Sequence, residues 1–105
     1  MPDNLSVKTY QPLVNQKFTI YFAPDNISEA ELIEVADRTR TTRQEQFSLL
    51  FKAPDTAPIE QGLYEVEHPE LGRMALFLVP IGKDETTIKF EAVFNLLVEP
   101  DEPKL

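Results

Sequence analysis

The sequence predicts an all-β fold, a small six-stranded antiparallel barrel or sandwich with a short N-terminal helical turn. Three observations carry that expectation. Six apolar or alternating stretches recur at a spacing of about ten residues, with turn clusters between them. Helix-type signals are confined to the N-terminus. The 105 residues fit one domain and hold no cysteine, so the core stands without disulfides or thiolate metal sites.

Residues 5–15 read as a helical turn. Ser6 is its candidate N-cap, Pro12 limits its continuation, and Asn15 suits a left-handed end. Tyr10, Leu13 and Val14 would plug one end of the barrel. "KFTIYF" then alternates, with Phe18, Ile20 and Phe22 on one face and Lys17, Thr19 and Tyr21 on the other. "APDN" supplies turn chemistry. "AELIEVAD" is the second strand, its register left open by the adjacent Leu32 and Ile33. The polar "RTRTTRQEQ" is a loop or hairpin tip. "FSLLFK" places Phe47, Leu49 and Phe51 inward and Ser48 and Lys52 outward. "APDTAPIEQG" is a long connection.

"LYEVEH" sets Tyr64, Val66 and His68 against Leu63, Glu65 and Glu67. "HPELG" turns the chain, with Gly72 free to take positive φ and His68 placed to cap through a ring nitrogen. "RMALFLVPIG" follows, and after Arg73 it carries no charged or hydrogen-bonding side chain. Phe77 is expected inward, which turns Met74, Leu76 and Leu78 outward as an apolar patch. That patch needs a cover, either from this chain or from another copy. Pro80 suits a strand end, an edge or a bulge. "IKFEAVFNLLV" closes the fold with Ile88, Phe90, Ala92 and Phe94 on one side. The β domain is expected over 1–98, and the acidic, Pro-rich 99–105 as a flexible tail.

Four stretches in fixed order, "FSLLFKAP", "QGLYEVEHPELG", "LFLVPIG" and "FEAVFN", resemble an uncharacterised bacterial family of small all-β domains of unknown function. The resemblance covers roughly residues 5–95, and members open with a segment like "TYQPLVNQKF". One departure is Asn15 in place of an expected glycine, and both tolerate left-handed backbone. The family brings no catalytic residues. Its association with phage-tail-like or fibre gene products implies a structural or adaptor role.

The net charge of −8 argues against nucleic-acid binding, which wants a basic surface. One basic stretch interrupts the acidic chain: Arg38, Arg40 and Arg43 are three of its four arginines. They are expected to contact a partner, and the Glu65/Glu67 face of a second copy is a complementary target. No stretch approaches the roughly 20 apolar residues of a membrane helix. No signal peptide is evident, so cytoplasmic placement is the default expectation, with delivery into an extracellular assembly left open.

Chemistry is sparse. His68 is the single histidine, and the three glycines form no phosphate loop. Glu65, Glu67 and His68 are the one candidate acid/base group, on a segment that reads more simply as a solvated strand face and a turn. No cofactor, metal or catalytic residue is expected. The sequence therefore points to a non-enzymatic structural or adaptor module that self-associates or docks on a larger bacterial assembly. The alternative is a small-ligand-binding barrel whose mouth is lined by aromatics such as Phe18, Phe47, Tyr64 and Phe90.

Overall fold

The computed structural model of the chain describes residues 7–39 and 44–97. A short helix α1 (Val7–Tyr10) runs into a 3₁₀ turn at Gln11–Leu13. Six strands follow: β1 (Lys17–Ala23), β2 (Asn26–Asp37), β3 (Gln44–Pro54), β4 (Gly62–His68), β5 (Gly72–Lys83) and β6 (Thr87–Leu97). All neighbours pair antiparallel in a closed barrel of order β1-β2-β3-β6-β5-β4. Closure removes the free sheet edges that an open sheet would present. Among the described residues no helix is long and apolar enough to cross a membrane.

The alternation in β1, β3, β4 and β6 sets the inside of the barrel. Phe18, Ile20, Phe47, Leu49, Phe51, Val66, Ile88 and Phe90 are all fully buried. A barrel this small is filled by its own side chains, and here the filling is aromatic. Phe18 meets Phe51 edge-on at 5.2 Å, and Phe22 meets Phe90 at 5.3 Å. Phe47 stacks on Phe94 at 4.5 Å. Asn15 and Gly72 both take positive φ, at 78° and 81°. Asn15 is held there by its own N–H, which donates to the Leu32 carbonyl at 2.6 Å.

Two expectations change. The second strand begins at Asn26, four residues earlier than the alternation suggests, because Pro24 and Asp25 alone make the turn that brings Ala23 opposite Asn26. A bulge between Leu32 and Glu34 then resets its register, which is why adjacent Leu32 and Ile33 gave no single face.

The second correction concerns β5, where the expected faces are reversed. Leu76 and Leu78 lie in the core, Met74 is half-buried against it, and Phe77 points out, 52% exposed. The cause is register. Residues opposite each other across an antiparallel pair share a face. Val66 lies opposite Met74, and Tyr64 opposite Leu76. The inward set of β4 therefore pulls the even-numbered residues of β5 inward. The uncovered face of "RMALFLVPIG" is the odd-numbered one.

The β5–β6 ladder runs from Lys83 opposite Ile88 to Val79 opposite Glu91 and stops there. Beyond it, Gly72–Leu78 pairs with β4, while Ala92–Leu97 pairs with β3. Tyr10 from α1 occupies this place. Its ring packs 5.7 Å from Phe94 on β6, and its hydroxyl donates to Met74 Sδ on β5 at 3.2 Å.

Candidate functional site

The outer surface of β1, β4 and β5 carries a charged cluster. Arg73 lies over the Tyr21 ring with its guanidinium carbon 4.1 Å from the centroid. It also reaches Glu65 at 3.6 Å and Glu67 at 3.5 Å. The Tyr21 hydroxyl donates to Glu67 Oε1 at 2.5 Å. That hydrogen bond is the main reason the Glu67 carboxyl sits below its ordinary range, with the Arg73 charge adding to it. The two carboxylates expected to receive an arginine from another copy already have one from their own chain.

His68 lies on the opposite side of β4 from Glu65 and Glu67 and is buried beside Phe18, ring centroids 4.7 Å apart. Its Nδ1 accepts from the Glu70 N–H at 3.1 Å. The remaining proton is then on Nε2, which donates to Gln16 Oε1 at 2.9 Å. This is the turn cap the sequence suggested. Strand parity keeps the imidazole away from the carboxylates, so the three do not form one acid/base group.

Next to the charged cluster the outside of the barrel is apolar. Leu63 and Phe77 lie directly opposite each other on β4 and β5 and are 69% and 52% exposed. Val93 on β6 and Ile81 on β5 are also exposed. Val93 and Phe77 each lie two residues beyond the last β5–β6 pair, Val79 with Glu91. This apolar set continues into a shallow concavity of about 170 Å³ lined by Glu34, Ala36, Arg38, Ser48, Leu50, Ile81 and Glu91. Leu50 stands between Glu34 on β2 and Glu91 on β6 in one cross-strand row.

A family model for a domain of unknown function (DUF6916) matches residues 5–94. The chain belongs to the DUF6916 family. No curated protein and no solved structure matches it.

Of the residues that sequence reasoning singled out in this DUF6916 domain, Arg38 is exposed on the outer face and lines the concavity, while Arg40 and Arg43 lie outside the described residues. Glu65 and Glu67 face outward as expected. Leu76 and Leu78 have no surface to offer a partner, which removes them from any interface of the folded domain. The exposed apolar pair of β4 and β5 is instead Leu63 and Phe77, which were legible only once the facing of β5 was known. Of the four aromatics expected at a ligand mouth, Phe18, Phe47 and Phe90 are each no more than 1% exposed, while Tyr64 is partly buried against the core. The row of Glu34, Leu50 and Glu91 had no sequence signal, because three strands meet there through the non-consecutive β3–β6 pairing.

Proposed function

We propose that this domain is a non-enzymatic structural or adaptor module that docks through the outer face of β4, β5 and β6. The observation that supports this most is the cross-strand pair Leu63 and Phe77, two large apolar side chains both more than half exposed. Contiguous exposed apolar surface marks protein interfaces, and aromatic anchors dominate their energetics. The partner favoured is a second copy, joined through the same pair in a two-fold contact. A place in a larger bacterial assembly of the phage-tail-like or fibre kind is the finer form of this proposal, supported by the family resemblance.

The test is size-exclusion chromatography with light scattering at low and high salt, on the natural chain and on the Leu63→Glu/Phe77→Glu double variant. The expected result is an oligomer that becomes a folded monomer in the variant. A natural chain that stays monomeric at high concentration overturns self-association. Salt dependence would implicate charged neighbours such as Arg38 in the contact.

A further inference from the structure

We infer that the concavity between β2, β3 and β6 is a subsite for an aliphatic ammonium group, presented as a lysine side chain of a partner protein. It goes beyond the docking surface, since the concavity is complete without a second copy.

Three features of the outer face support it. Ser48 is 5% exposed, yet it projects outward, because Phe47 and Leu49 on either side of it point into the core. It lines the concavity, and among the described residues its hydroxyl has no hydrogen-bond partner. A buried hydroxyl without a protein partner is free to bond a group that enters the concavity. Second, Glu34 and Glu91 stand on either side of Leu50, two strands and so about 10 Å apart at the backbone. Neither has an ion-pair or hydrogen-bond partner among the described residues. Third, Ala36, Leu50 and Ile81 give the concavity an apolar lining.

A ligand that satisfies all three has an apolar stem and a cationic, hydrogen-donating head. Lysine has that form: its methylenes lie along apolar surface while the ammonium stays at the polar rim. An ammonium also brings three donors, enough to serve two carboxylates and a hydroxyl oxygen. About 170 Å³ gives room for one such side chain. Arg38 lines the concavity too. Its charge opposes the ligand and so lowers affinity. The overall charge of −8 brings cationic partners toward the domain.

The test is an amide-resolved NMR titration with N-acetyl-lysine N-methylamide, with the norleucine analogue as the control lacking the charge. The expected result is saturable shifts at Ala36, Ser48, Leu50 and Glu91, with a dissociation constant on the order of millimolar, as one exposed side-chain site allows. Glu34→Gln and Glu91→Gln should each weaken binding about two- to fivefold, and Arg38→Gln should strengthen it. Ser48→Ala should weaken binding while leaving thermal stability unchanged or raised, which a merely structural serine would not do. Absence of saturable shifts, or equal shifts with the norleucine analogue, overturns the proposal. So does a Ser48→Ala variant that binds normally and melts lower. Leu63→Ser/Phe77→Ser, which adds no charge, should leave the titration unchanged, so the fates of the apolar docking face and of this subsite are read separately.

Discussion

Arg73 on β5 lies across the ring of Tyr21 on β1, with β4 between them. The β1–β4 seam that it crosses is the shortest in the barrel, three residue pairs from Thr19 opposite Glu67 to Tyr21 opposite Glu65. The stacked guanidinium, its two carboxylates and the Tyr21–Glu67 hydrogen bond therefore act as an outer clasp on the seam that closes the barrel. Arg73→Gln and Tyr21→Leu should each lower the melting temperature, and the double variant should lose less than their sum. Full additivity in that double-mutant cycle would show that the contact contributes nothing.

Tyr10 should be the most costly aromatic to remove at the plugged end. Truncation to alanine should cost about 3–5 kcal/mol, while Tyr10→Phe should cost about 1 kcal/mol, since the bond to Met74 Sδ is lost and the ring packing is kept. Burial pushes the Tyr10 hydroxyl up to about 12 from an ordinary 10.0. A raised value means that its contribution is complete below pH 10.0 and is lost as pH rises through about 12. An ultraviolet phenolate titration should show one tyrosine lagging, and Tyr10→Phe should remove the lagging step.

Asp84 governs the β5–β6 turn. Its Oδ1 accepts from the Thr86 N–H, the Thr87 N–H and the Thr87 hydroxyl, at 3.1, 2.9 and 2.8 Å. These bonds, the Thr87 hydroxyl foremost, hold its carboxyl below the ordinary 3.8. Its stabilising effect is thus present above pH 3.8 and lost as pH falls through the lower native value. Asp84→Ala should lower the melting temperature at neutral pH and flatten the acid limb of the stability curve. An unchanged acid limb would assign that dependence to other carboxylates.

Neighbouring residues on β5 should respond in opposite ways. Leu76→Lys places a charge in the core and should unfold the monomer, and Leu76→Ala should cost about 2–5 kcal/mol. Phe77→Lys should leave circular dichroism and melting nearly unchanged. A folded Leu76→Lys variant would reverse the facing of the strand.

Asn15 offers a sharp backbone test. At φ 78°, Asn15→Ala should cost about 1–2 kcal/mol, while Asn15→Gly should stay within a few tenths of the natural chain. Equal melting of all three proteins would show that the turn is not held in that conformation.

The legible parts of the fold were those that mark themselves with contrast. Phe18, Ile20 and Phe22 alternate with Lys17, Thr19 and Tyr21, so one inspection gives both the strand and its inner face. Gly72, Asn15 and the His68 cap were legible because local backbone geometry restricts the choice of residue. β5 was not, since Met74 to Ile81 offers no charged or hydrogen-bonding side chain to say which parity meets water. Its facing is imposed from outside, by Tyr64 and Val66 across the β4 pairing. The surface groups suffered most from the same dependence. Arg73 joins Glu65, Glu67 and Tyr21, and Glu34 comes level with Glu91, only through partners far apart in sequence.

Where the β5–β6 ladder ends at Val79 and Glu91, the Tyr10 ring backs the barrel from inside, against Phe47 and Phe94. Strand pairing is satisfied residue by residue and carries its own register. A packed tyrosine works chiefly by shape, with its hydroxyl bonded to Met74 Sδ. The first helical turn is thus part of the core rather than an appendage resting on it. Deleting residues through Val14 would do more than uncover a core: it would leave two strand margins facing each other across a gap, each a template for any other extended chain. The expected result of that truncation is not a looser monomer but sheet-to-sheet aggregation.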